Sequence, residues 1–291
     1  MKNLIKEAST IFVKKVNIEM RVVPSFNVAW HFHEEFELVY VTKSNGMRFV
    51  GDSVSPFYPG DLVLVGANLP HLWRSDSFYY NEGNPENSKR VKTIVTKFTE
   101  DFLGINFFEA PEFQKINKLL KASKYGLFFG EEVSIDLHDL IVSLPSLPKT
   151  EQYIKLLEVL YQLSLVKEKD RLVLSSSNMR QSTKESPERI DTVLRYISDN
   201  YSSKMNLSDV ADVACMTTNS FCRFFKKTTN KSFTQFLNEI RIRNASRILI
   251  QQKIPISEVC YSVGFNSITN FNKQFKLLVG STPKKFREDI L

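Results

Sequence analysis

The sequence predicts an α+β chain in two parts: an N-terminal antiparallel β-barrel accompanied by helices, and a C-terminal all-α domain of two helix-turn-helix units. Three observations carry this reading. Short β-branched and aromatic runs bounded by turn residues fill the chain from about Val13 to Phe98. The apolar period switches to helical spacing from about Pro111. The C-terminal third repeats itself at an offset of 50 residues. A length of 291 residues suits two domains, and 42% hydrophobic residues with 23 Phe can fill two cores, which excludes a disordered or collagen-like chain.

The strand signal is clearest in Phe36-Glu37-Leu38-Val39-Tyr40-Val41 and Asp61-Leu62-Val63-Leu64-Val65, which are bounded by Asn45-Gly46, Pro59-Gly60 and Gly66-Ala67-Asn68. Glu82 to Ser88 reads as an exposed loop. Helical spacing then appears in Phe113, Ile116, Leu119 and Leu120, and again in Ile154, Leu157, Tyr161 and Leu165 with Leu160 beside them. These helices either pack on the barrel or form a dimer seam. Ser175 to Pro187 is polar, lacks an apolar period and ends in Ser-Pro, as an interdomain linker does. The expected organisation is a strand-rich barrel over 1–105, a helical segment over 106–174, a linker over 175–187 and an all-helical domain over 188–291.

Charge divides the chain in the same place. Residues 184–291 hold 17 Lys and Arg against 10 Asp and Glu, whereas the residues before them hold 22 of each sign, so the whole net charge of +7 lies in the last third. A neutral module joined to one that meets a polyanion has this distribution. Three cysteines (Cys215, Cys222, Cys260) cannot make a disulfide framework, the first residues lack a signal-peptide apolar run, and no stretch is apolar enough for a membrane span. A cytoplasmic location without membrane contact is expected.

The repeat pairs Phe221 with Phe271, Arg223 with Lys273, Phe225 with Phe275, Lys226 with Lys276, Asn230 with Gly280 and Ser232 with Thr282; Leu207-Ser208-Asp209-Val210-Ala211 corresponds to Ile256-Ser257-Glu258-Val259-Cys260 one residue out of phase. Each copy reads as helix, tight turn, helix. Asn206 with Asp209 caps the first helix of copy one, and a turn follows at Cys215-Met216-Thr217. The next helix buries Phe221, Phe224 and Phe225 and turns Asn219, Cys222, Arg223 and Lys226 outward. In copy two, Pro255 precedes a helix ending at Gly264; its partner buries Phe271, Phe275 and Leu278 and exposes Thr269, Asn270, Lys273 and Lys276. Polar, cationic helices of this kind suit the major groove, where Arg and Lys donate to guanine, Asn pairs with adenine, and flanking lysines neutralise phosphates. Between the copies, Ser232 and Gln235 form a capping box for a helix running to about Ile250, a spacer of about 27 Å. It would set two recognition helices near one DNA turn apart.

Residues 188–288 resemble the DNA-binding domain of the AraC/XylS family of bacterial transcriptional regulators. The likeness lies in Arg223-Phe224-Phe225-Lys226-Lys227, in Arg241-x-x-x-Ala245-x-x-x-Leu249, in Glu258 to Phe265, in Phe271-Asn272-Lys273-Gln274-Phe275-Lys276, and in Gly280-Ser281-Thr282-Pro283 with Arg287. The resemblance implies base reading by Asn219, Cys222 and Arg223 in one helix and by Thr269, Asn270 and Lys273 in the other. Phosphate contacts are expected from Thr217, Lys226, Lys227, Ser267 and Lys276. Asn230 stands where Gly is usual and tolerates the same left-handed conformation; Cys260 replaces a usual Ala; Cys222 is a weak hydrogen-bonding group for a base-facing position.

In the N-terminal part, His31-x-His33-x-x-x-Glu37 and a later His71 gather three imidazoles and a carboxylate, a donor set that suits a divalent transition metal. These segments resemble the two motifs of the cupin barrel, with Gly66, Asn68 and Ser75 departing from the usual second motif and Gly46 displaced in the first. The four residues are read as a metal site, as polar groups of a small-molecule effector pocket, or as a satisfied polar core. His138 is expected at the surface, and Trp30 and Trp73 in the core. The function expected is that of a one-component, sequence-specific transcriptional regulator, an activator by the family's habit. It would be a homodimer on a double-stranded operator, respond to a small molecule and contact RNA polymerase. No catalysis and no obligatory cofactor are expected. The rivals are a metal-cupin enzyme carrying a nucleic-acid module and a purely architectural DNA binder.

Overall fold

The computed structural model describes residues 15–26, 28–76, 91–176 and 187–289. The loop expected at 82–88 and the first residues of the chain lie outside this set. The chain divides into two compact units, one drawn almost wholly from residues 1–181 and the other chiefly from 182–291. Among the described residues no helix is long and apolar enough to cross a membrane.

The first unit is strand-rich. β1 (Val16–Val23), β2 (Phe36–Lys43), β3 (Gly46–Val50), β4 (Ser53–Phe57), β5 (Leu62–Val65), β6 (His71–Ser75) and β7 (Val91–Phe98) precede α1 (Gln114–Ala122), β8 (Leu127–Phe129), α2 (Glu131–Asp136), α3 (His138–Ser143), α4 (Lys149–Leu165) and β9 (Arg171–Val173). The expected single barrel resolves into two sheets, of order β1-β7-β2-β5-β8-β9 and β4-β3-β6, and among the described residues the pairing closes neither on itself. Gly51, at φ +56, turns β3 back into β4. The central strand β2 is buried on both faces over Phe36–Val41, a run that is apolar except for Glu37. Phe36, Leu38 and Tyr40 face a core shared with Leu62, Leu64, Ile94, Phe98 and the helices, while Val39 and Val41 face a second core with Val50, Phe57, Val63, Val65 and Trp73. Glu37 lies in the second, interior row by strand alternation.

Three expectations change here. The segment 106–174 is no separate helical body: β8 and β9 extend the large sheet, and α1 and α4 pack on it. On α4 the buried stripe is Leu156, Val159, Leu160 and Leu163; Ile154, Tyr161 and Leu165 are exposed and Leu157 only partly buried. The helix carries two apolar stripes, and the sheet takes the one with the tighter i, i+3, i+4, i+7 spacing. Ser175 and Ser176, expected to open the linker, are bonded into the first unit: Ser175 N donates to Tyr125 O (2.7 Å), and Ser175 Oγ and Ser176 N both donate to Asp52 Oδ1 (2.8 Å each). Residues 177–186 lie outside the described residues.

The second unit is all helical: α5 (Pro187–Asn200), α6 (Leu207–Val213), α7 (Thr218–Thr229), α8 (Phe233–Gln251), α9 (Ile256–Ser262), α10 (Ile268–Val279) and α11 (Pro283–Glu288). Around the C-terminal half of α8, Ile242, Ala245 and Leu249 pack with Val259, Cys260, Val263, Phe265, Phe271 and Phe275.

Candidate nucleic-acid interface and histidine nest

The first helix pair is set by its caps. The Asn206 side chain meets the Asp209 backbone while Asp209 Oδ2 accepts from Asn206 N (3.1 Å), and α6 stops where Cys215 takes a left-handed φ of 52. Met216 N donates back to Ala211 O (2.9 Å), closing the turn. Thr217 then caps α7 by accepting from Ser220 N (3.3 Å). Phe221, Phe224 and Phe225 are buried, so the opposite arc of α7 (Asn219, Cys222, Arg223, Lys226 and Lys227) is exposed. Asn230 ends the helix at φ 57. The Ser232 capping box starts α8, whose 19 residues span about 28 Å.

The second pair repeats the device with different parts. α9 follows Pro255 and turns at Gly264, φ 90. Ser267 caps α10 by accepting from Asn270 N (3.3 Å) and is half-buried in doing so. Phe271 and Phe275 are buried, and Thr269, Asn270, Asn272, Lys273 and Lys276 are exposed. Neither α7 nor α10 contains an Asp or Glu. Both exposed arcs are therefore donor-rich and uniformly neutral or positive, which favours phosphates and base edges and disfavours a basic partner. Arg241 of α8 ties the bundle together, donating to Tyr201 O (2.7 Å) and Ser203 O (2.9 Å).

In the first unit, His31, His33, Glu37 and His71 each offer a ligating atom, all within 4.8 Å of one another. A two-way backbone bridge between His31 and His71 (2.9 and 3.3 Å) brings the segment before β2 onto β6. His33 Nε2 lies 2.8 Å and His71 Nε2 3.7 Å from Glu37 Oε2. Lys97 stands opposite Glu37 across the β2–β7 pair, with its Nζ 3.5 Å from the same oxygen. Burial, with His71 beside it, lowers the His31 imidazole to about 3 and keeps it neutral. Burial pushes the Glu37 carboxyl up, but the His33 hydrogen bond and the neighbouring His71 more than reverse this, and it stays well below the usual carboxylate range. His31 and Glu37 also line a cavity of about 290 Å³, walled mainly by Val23, Phe26, Val28, Val39, Trp73 and Val95, with Arg21 and Ser25 among its polar lining residues.

A helix-turn-helix domain family matches residues 210–289. The Msm operon regulatory protein of Streptococcus mutans is 28% identical over 114 residues, 39% of this chain; the chain spans only 41% of that protein's length. The HTH-type transcriptional regulator YdeC of Bacillus subtilis, itself uncharacterized, is 26% identical over 266 residues, 89% of this chain and 85% of its own. The HTH-type transcriptional activator RhaS of Shigella sonnei is 22% identical over 277 residues, 94% of this chain and 92% of its own. Residues 210–289 are thus a helix-turn-helix domain, and the chain is similar along most of its length to proteins named as HTH-type transcriptional regulators.

All six base-reading residues expected from the sequence lie on exposed arcs of α7 and α10, Cys222 among them. Thr217 and Ser267 serve as helix caps. The four N-terminal residues are brought together as expected, and Trp30 and Trp73 are buried. His138 is exposed, as expected, yet its Nδ1 is 2.7 Å from Tyr40 Oη. The sequence reading missed Lys97, Arg21 and Asn272. The first two join the nest and cavity only through strand register, whereas Asn272 was detectable from the Phe271/Phe275 spacing.

Proposed function

We propose that this AraC-type regulator reads a two-part operator, with Asn219, Cys222 and Arg223 of α7 contacting bases in one groove segment and Thr269, Asn270 and Lys273 of α10 in the next. Thr217, Lys226, Lys227, Ser267 and Lys276 hold the phosphates. The observation that carries the reading is the pair of acid-free, exposed arcs joined by α8. Residues 188–291 act as the DNA-binding domain and 1–105 as a cupin-like sensor, whose cavity takes a small-molecule effector against its apolar wall. Effector binding shifts the population of DNA-competent states and so changes occupancy of the promoter, with RNA polymerase as the recruited partner. The exposed Ile154, Tyr161 and Leu165 of α4 support a homodimer. The test is selection of operators from random duplex DNA with the full-length protein. Two enriched boxes about 10 base pairs apart are expected. Enrichment of a single box, or of none, overturns the two-probe reading.

A further inference from the structure

The chain leaves the first unit along a short strap that follows β9. Leu174 N donates to Gly126 O (2.9 Å) and Ser175 N to Tyr125 O (2.7 Å), and Ser176 is the last described residue before Pro187. One side chain fastens the end of this strap. Asp52, in the turn between β3 and β4, is buried, and its Oδ1 accepts from Ser175 Oγ and from Ser176 N (2.8 Å each). Its Oδ2 accepts from Ser176 Oγ, and its own N donates back to Ser175 Oγ (3.4 Å). Three donors thus end on a single carboxylate, and hydrogen bonds to an ionised acceptor are about twice as strong as neutral ones.

The strap lies close against its bed. A Cβ at Gly51 would stand 2.3 Å from Ser175 Oγ, and a Cβ at Gly126 would stand 2.6 Å from Val50 Cγ1 and 3.4 Å from Leu174 Cβ. Leu174 itself packs against the second core of the first unit, which includes Val39 and Trp73. Those two side chains also wall the 290 Å³ cavity. The strap is therefore held by polar bonds on Asp52 at its end and by apolar contact with the cavity's wall just before it. Because the polar bonds converge on one carboxylate, they are made and lost together, which gives the strap two states, fastened and peeled. Peeling back to Val173 yields Leu174, Ser175 and Ser176 to the connection and adds up to about 10 Å to its reach.

We propose that Asp52, Ser175 and Ser176 form a releasable clasp, with Asp52 as its positioning residue, and that opening the clasp lengthens the tether between the first unit and the helical unit. Fastened, the tether starts at Ser176; open, it starts at Val173. A shift of Val39 or Trp73 is passed to Leu174, which rests on the same core, and so loosens the strap from its apolar side. The clasp thereby turns a change at the cavity into a change in how far the helical unit can travel. Its regulatory meaning rests on the proposed reading of 188–291 as the DNA-binding domain and of the cavity as the effector site; the clasp and its effect on reach do not.

The test uses the full-length protein and two readouts. Amide hydrogen exchange reports the clasp directly: Asp52→Ala should speed exchange at the Leu174 and Ser175 amides by at least about tenfold while the β2–β7 amides keep their protection. Ser175→Ala removes both hydroxyl bonds at little change in volume, so it carries the result if Asp52→Ala fails to fold. Energy transfer reports the reach, between a dye on the exposed Cys215 in a Cys222→Ser background and a second on Lys121→Cys, on exposed α1, with unlabelled protein in excess so that only distances within one chain are read. The distance distribution should widen in Asp52→Ala. Val39→Ala, a change in the cavity wall, should speed exchange at Leu174 and Ser175 by at least about twofold. Unchanged exchange in both Asp52→Ala and Ser175→Ala overturns the clasp. Faster exchange with an unchanged distance distribution overturns its effect on reach, and unchanged exchange in Val39→Ala overturns its link to the cavity. Operator binding measured in parallel reports separately on the DNA reading, because a protein that binds no operator still yields both readouts.

Discussion

The two helix-turn-helix copies share a fold and differ in how each makes its turns. Copy one turns α6 into α7 at Cys215 (φ 52) and ends at Asn230 (φ 57), with no glycine at either point; copy two uses Gly264 (φ 90) and Gly280 (φ 89). The surroundings explain only part of this. A Cβ at Gly264 would sit 2.7 Å from both Tyr201 O, which also accepts from Arg241, and Ser202 O, whereas a Cβ at Gly280 would meet nothing within 4 Å. Glycine is thus required twice over at one turn, for backbone angle and for room, and only for angle at the other.

Substitutions can break or sharpen this comparison. Gly264→Ala should cost the most, about 3 kcal/mol or more, from left-handed strain plus collision with backbone that cannot yield. Gly280→Ala should cost about 1–2 kcal/mol from strain alone. Equal shifts of the two in denaturant melts would show that the close approach at 201–202 does not matter. On DNA, Arg223→Ala and Lys273→Ala should each forfeit about 1–3 kcal/mol of discrimination, each in a different box of the operator, as read by competition with single-base variants. Loss in the same box would mean the copies do not read separate segments. Cys215→Gly should raise stability by up to about 1 kcal/mol, because it relieves a strained φ without crowding. The smallest effect belongs to Lys226→Ala, which should lower the salt slope of binding by about one phosphate while leaving base preference intact, as measured across a salt series.

Much of the second unit was legible because its signals are local. Asn206 with Asp209, Ser232 with Gln235, and the Phe221/Phe225 and Phe271/Phe275 spacings each fix a helix end or face without help from distant residues. The first unit hid more. β8 and β9 are three residues each, too short to show a period, and become strands only by pairing with the sheet edge. On α4 both apolar stripes have helical spacing, and only the sheet decides which is buried. Ser175 looks like linker and is buried because Asp52, over a hundred residues earlier, accepts its hydroxyl hydrogen. At the nest, the four candidate ligands were legible from residue type, but Lys97 needed the β2–β7 register, which no single stretch of sequence encodes.

α8 has a consequence for how such a protein can change. A helix advances about 100° and 1.5 Å with every residue. One residue inserted or deleted between Ser232 and Gln252 would swing α10 by more than a quarter-circle about the α8 axis relative to α7, so the two probes would no longer address one side of a duplex. Side chains on its outer surface are free to drift, but under the two-box reading proposed above its length is locked in phase with the DNA screw.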